Sequence, residues 1–238
     1  MTKAYGILAG MSLLCGSNGP TPGERVVAGR LVPFARASVH LEQNATDRDM
    51  EVVFDVDGGK DGLAELAVVS PDGRTILEFT APGASPLGIR QFRLETPEPK
   101  DVARLKATYP EGMYTFAGAT AAGDKLQARA KLAHELPDPV SRIRPGVAGG
   151  AVKAEPLEIT WKTTGDPAGF IVAIEQEELG DELTARLPGS AHRLIVPDGF
   201  LNPGMEYRLA IGTVAGGGNV SFVETTFTTA GAKAGVGE

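Results

Sequence analysis

The side chains best placed for chemistry are carboxylates. Asp55-Val56-Asp57-Gly58-Gly59, with Asp61 two residues on, sets three acids around a glycine pair, and Asp47 and Asp49 stand just upstream. Calcium takes roughly six to eight oxygen ligands, so Asp55, Asp57 and Asp61 are the calcium candidates of this chain. The match to a helix–loop–helix calcium loop fails on spacing, on flanking helical pattern and on a closing Glu. The competing reading is turn chemistry, in which Asp bonds its own backbone and Gly supplies positive φ.

Other reactive constellations are missing from the sequence. There is no Gly-x-Ser-x-Gly elbow for a serine nucleophile, no Gly-rich phosphate loop closing on Lys-Ser/Thr, and no His-Glu-x-x-His. His40, His134 and His192 are far apart, with no two at metal-ligand spacing. The single Cys, Cys15, excludes an intrachain disulfide and lies ahead of both domains, away from any rigid catalytic site. Asn44-Ala45-Thr46 and Asn219-Val220-Ser221 fit the glycosylation sequon, which matters only in a eukaryotic secretory pathway. The expectation is a non-enzymatic chain with no cofactor.

The elements that would carry these residues are strands. Gly (31) and Pro (17) make up about a fifth of the 238 residues, enough for many turns and too few for a disordered chain. A net charge of −7 repels a phosphate backbone, and Arg142, Arg144 and Lys153 are scattered in a linker, so nucleic acid is not an expected partner. Residues 37–135 alternate with period two: Val39 and Leu41 on one strand, then Met50, Val52, Phe54 and Val56 on the next. Leu63 to Ser70, a Pro71-Asp72-Gly73 turn and Thr75 to Thr80 read as a hairpin, and Ile89, Phe92 and Leu94 as a further strand. One short helix is expected in 98–108, with Val102, Leu105 and Ala107 near helical spacing and Asp101 in its first turn. Pro110-Glu111-Gly112-Met113-Tyr114-Thr115-Phe116 and the Ala122-Gly123-Asp124 turn then resemble the closing hairpin of bacterial immunoglobulin-like domains. That resemblance implies an immunoglobulin-like β-sandwich.

Residues 136–230 follow a Pro- and Gly-rich linker, Leu136 to Lys153, where a domain boundary is expected. Leu157, Ile159 and Trp161 alternate on one strand; Phe170, Val172 and Ile174 on the next; Leu183 to Leu187 and Arg193 to Val196 follow. Trp161, then Leu201-Asn202-Pro203-Gly204-Met205-Glu206-Tyr207-Arg208-Leu209 some 40 residues later, resembles a fibronectin type III domain. The resemblance implies that Trp161 fills the core between two sheets. It also implies that Leu201 and Tyr207 pin the turn between the last strands, the Tyr hydroxyl bonding nearby backbone. The fold class is thus all-β, two tandem β-sandwiches, with one short helix in the first.

Residues 1–36 read as a signal-like or flexible segment and 231–238 as a flexible tail. Lys3 and the apolar run Ala4 to Leu14 fit a secretory h-region, too short to span a bilayer. Leu13-Leu14-Cys15-Gly16 resembles the end of a bacterial lipoprotein signal, which implies lipid attachment at Cys15. Leu14 departs from the small residue, and Ser12 from the Leu, usual in that family. The functional expectation is an interaction or scaffolding protein, exported to the bacterial envelope or secreted. Its partner would be a protein, and membrane contact would run only through a lipid at Cys15. The rivals are an accessory binding subunit of a larger enzyme or secretion complex, and a calcium-stabilised adhesin-like module.

Overall fold

A computed structural model describes residues 30–81, 89–99, 101–146, 150–154 and 156–231. The first half folds as β1 (Leu31–Val32), β2 (Arg36–Asn44), β3 (Asp49–Asp57), β4 (Leu63–Val69), β5 (Thr75–Thr80), β6 (Gln91–Glu95), α1 (Val102–Thr108), β7 (Gly112–Thr120) and β8 (Lys125–Leu132). One sheet has the order β1-β8-β7-β4-β5, and β2, β3 and β6 pair to face it. Alternation in β3 sends Met50, Val52, Phe54 and Val56 into the core, where Leu41, Leu66, Tyr114 and Phe116 meet them. The β4–β5 turn reverses at Gly73, whose φ of 85° an L side chain adopts only under strain.

Three details depart from the sequence reading. Residues 30–36 join the first sandwich: β1 pairs in parallel with β8, and Phe34 is buried with its ring 6.5 Å from that of Phe116. The segment ahead of β2 thus contributes an aromatic side chain to the first core. Ile89 makes only an isolated bridge to Leu63, so β6 starts at Gln91. In α1, Asp101 is the N-cap, accepting from Ala103 N–H at 2.9 Å; Leu105 is buried while Val102 is exposed.

The second half adds β9 (Ser141–Arg144), β10 (Glu158–Lys162), β11 (Gly169–Gln176), β12 (Asp181–Pro188), β13 (Arg193–Ile195), β14 (Glu206–Val214) and β15 (Val220–Thr228). A sheet β13-β10-β9 faces β12-β11-β14-β15 around a separate core centred on Ile159, Trp161, Phe170, Leu209 and Ile211. Three strands over four, with the Trp strand central in the smaller sheet, is a fibronectin type III-like arrangement. The chain is therefore an all-β pair of sandwiches. The two are not strung loosely. β15 pairs in parallel with β2 (Val220 with Glu42, Phe222 with Asn44), joining them into one seven-stranded sheet, β12-β11-β14-β15-β2-β3-β6. Sequence patterning gave no sign of this seam.

Candidate functional site

The residues singled out in the second sandwich are core residues. Trp161 is 3% exposed, its ring 5.3 Å from Phe170 and set edge-on to it. Leu201 is buried, and the oxygen of the fully buried Tyr207 accepts from Asn202 N–H at 2.7 Å, a tyrosine corner. The three aspartates are not gathered. Asp57 accepts from Gly59 N–H at 2.7 Å, which is turn chemistry; Asp55 lies 3.6 Å from Arg93; Asp61 is an exposed turn residue. The histidines make separate contacts: His40 with Glu42, His134 with the Tyr109 carbonyl and His192 with the Ser190 carbonyl. Cys15 lies outside the described residues.

The structure gathers a different set, on the outer face of the shared sheet. Residues opposite one another in antiparallel strands point to one side, so His40, Glu42, Glu51, Val53, Asp55, Arg93 and Glu95 share that face. Arg93 ties them, donating to Glu42 at 2.9 Å and to Glu95 at 2.7 Å. His40, 8% exposed, meets the other Glu42 oxygen at 2.9 Å. Beneath this canopy Val53 is fully buried although it faces away from the core. Glu42, Glu51 and Glu95 each bring an oxygen within 4.8 Å of the others, the only such group of three among the described residues. They are the residues that could hold a metal.

Electrostatics separates the members of the trio. Burial alone would raise Glu42, but its contacts with His40 and Arg93 outweigh burial and hold its carboxyl below the ordinary range. For Glu51 the charge of Arg93 pulls downward too, but it is outweighed. Burial, then the charges of Glu95, Glu42 and Asp49, push it up to about 7. One carboxyl is thus a fixed charge and its neighbour holds a proton near neutrality. The network clamps β2, β3 and β6 side by side.

At the seam, Asn219 joins the sandwiches. Only 3% exposed, its side chain accepts from Leu41 N–H at 2.8 Å and donates to the carbonyls of Ala133 (2.9 Å) and Glu135 (2.7 Å). Its sequon is therefore buried in the folded chain. Beside it runs a groove of about 320 Å³ lined from both sandwiches, with Arg36, His40 and Arg93 on one side and Arg186, Val214 and Val220 on the other. Sequence reasoning missed Glu42, Glu51, Arg93 and Glu95, and read Asn219 only as part of a sequon. The even-numbered polar residues of β2 were a visible signal; their partners on β3 and β6 were not.

No family model matches the chain, and no curated protein matches it. Among solved structures, it is similar to the FN1–FN3 domains of chicken CNTN1, at 10% identity and a TM-score of 0.37, covering 85% of this chain and 66% of that one. It is also similar to a two fibronectin type III domain segment of chicken tenascin, at 15% identity and a TM-score of 0.32, covering 82% and 99%. A third is the BSP domain of a biofilm associated protein, at 17% identity and 0.28, covering 84% of this chain and 30% of that one. Among the described residues no helix is long and apolar enough to cross a membrane.

Proposed function

We propose that this chain is a non-catalytic adhesion or scaffolding module, exported to the bacterial cell envelope or secreted, that works by binding another protein. The observation carrying this reading is the seam: β15 pairs with β2, and Asn219 bonds to three backbone groups of the first sandwich and the linker after it. Two sandwiches fused through one sheet make a stiff body that holds its surfaces at fixed spacing, which a spacer or platform requires and a flexible tandem does not provide. The charged residues described above are engaged with one another rather than arranged as nucleophile, base and orienting group. Fractionation of cells making the full chain and a Cys15→Ser version, with intact mass of the product, tests the address. A processed, exported product is expected, and an uncleaved cytoplasmic chain overturns the envelope assignment.

The calcium-stabilised adhesin-like module is a second reading, with one observation in its favour. The convergence of Glu42, Glu51 and Glu95 moves the candidate ligands away from Asp55, Asp57 and Asp61. A ion that binds only the folded chain must raise its melting temperature. Equal melting temperatures in calcium and in chelator would remove this reading.

A further inference from the structure

We propose that the chain pairs with a second copy of itself, edge to edge through β12, so that the two seven-stranded sheets become one. At the β14–β15 turn, Ala215 N–H donates to the Asn219 carbonyl. Hydrogen-bonding direction alternates along a strand, so this bond sets the odd residues of β14 toward β15 and the even ones toward β11. The registers Val214 with Gly169 and Phe170 with Leu187 carry the alternation across β11. Leu183, Ala185 and Leu187 then bond to β11, and the N–H and C=O groups of Glu182, Thr184 and Arg186 face outward. An independent bond agrees: the carbonyl of Pro188, next in the outward row, is taken by Ala191 N–H.

β12 is the longest open edge of the molecule's described sheets. It pairs with β11 at eight consecutive positions with no register shift. The other edge strands are shorter: β1, β9 and β13 span two to four residues, β6 five, and β5 six with an irregular register. Natural sheets protect such edges with bulges, prolines or charged side chains; β12 has no register shift, its Pro188 is terminal, and its charges, Asp181, Glu182 and Arg186, are of both signs.

The sequence of the edge fits a two-fold partner in one register. With Thr184 opposite its own copy, Glu182 falls opposite Arg186 and Arg186 opposite Glu182, and all three outward residues find hydrogen-bond partners. A shift by one residue toward either end strands one of the three, and toward Pro188 it meets a residue without an N–H. The side chains of Glu182, Thr184 and Arg186 lie on one exposed face, so two cross-strand ion pairs form beside a Thr–Thr pair. Arg186 has no ion-pair partner among the described residues, and Glu182 only accepts from Thr184 at 3.1 Å. The charges are complementary to a second copy and unused within one. The inference goes beyond the scaffolding proposal and does not need it.

Sedimentation equilibrium of the full chain tests this, with Arg186→Glu, Glu182→Arg, the double reversal and Thr184→Pro. A dimer at sub-millimolar concentration is expected. Each single reversal should raise the dissociation constant roughly tenfold or more, because like charges then face one another twice. The double reversal should restore pairing, and Thr184→Pro should abolish it while sparing the fold, since the lost N–H faces outward. A monomer at every concentration overturns the proposal, as does a dimer indifferent to all four changes. A monomer that still captures an envelope protein would overturn this inference and leave the scaffolding proposal standing.

Discussion

Tyr114 and Tyr207 sit at matching places in the two sandwiches, each fully buried near the start of a long strand, yet they use the hydroxyl in opposite senses. Tyr114 donates to the Pro110 carbonyl at 3.2 Å; the Tyr207 oxygen accepts from Asn202 N–H at 2.7 Å. Burial, and then the charge of Asp72, push Tyr114 up to about 12, which keeps its donor proton in place. The charges on the shared sheet differ in the same way. Glu175 and Arg208 of the second sandwich form a simple cross-strand pair at 2.9 Å, whereas the first crowds three glutamates around one arginine. Similar architecture does not fix local chemistry, and each difference can be broken separately.

The largest effect tests whether the sandwiches melt separately. Trp161→Ala should destabilise by about 3–5 kcal/mol, the usual range for emptying an aromatic site in a core. Because β15 and β2 share a sheet, calorimetry should still show one transition, shifted down. Phe116→Ala in the first core should lower that same transition. Two transitions in the parent protein would mean that the seam carries no coupling.

Asn219→Ala attacks the seam itself. It orphans one buried N–H and two carbonyls, a loss of about 3 kcal/mol at the scale known for unsatisfied buried groups. The single transition should then divide in two. Urea melts followed by near-UV signal, dominated by Trp161 in the second core, against far-UV signal from both halves would register the split.

The tyrosines come next. An orphaned buried N–H is rarer in proteins than an under-satisfied carbonyl, so the two changes should differ. Tyr207→Phe should destabilise by about 1–2 kcal/mol and Tyr114→Phe by about 0.5–1 kcal/mol. Equal losses in urea titration would mean that the sense of the hydrogen bond does not matter.

What the sequence made legible follows the range of the interactions. Trp161, Leu201 and Tyr207 could be read because core strands alternate and the turn before β14 brings its own partner, Asn202, five residues away. The hairpin at Gly73 and the cap at Asp101 are local in the same way. Asn219 could not be read: its acceptor role depends on Leu41, 178 positions away, and its own neighbours spell a sequon. The trio was hidden for a related reason. Glu42 and Glu51 are close in sequence, but Glu95 joins them only through the pairing of β3 with β6 across an intervening hairpin. The Asp-rich loop drew attention because its acids are adjacent in sequence. Adjacency there serves a turn.

The smallest predicted effect concerns Glu51, where the first sandwich has crowding that the second lacks. Its folded pKa is raised to about 7, above that of an unfolded Glu, so the folded state holds this proton more tightly. The favourable term is fully present below about pH 4.5 and is lost as pH rises through 7. Glu51→Gln keeps the shape and removes the charge, so it should stabilise the protein at pH 8 and leave it unchanged at pH 4. Discounted for a carboxyl that still reaches solvent, the gain at pH 8 should be about 1 kcal/mol. Glu175→Gln in the second sandwich should show no gain, because its charge is matched by Arg208. Melting temperatures of both variants at the two pH values decide the matter. If Glu51→Gln tracks the parent at pH 8, burial and the neighbouring carboxylates do not penalise the Glu51 charge as the geometry requires. If it gains only at high pH while Glu175→Gln does not, the penalty on a half-buried, crowded charge belongs to the first sandwich, and the contrast between the two halves is electrostatic as well as structural.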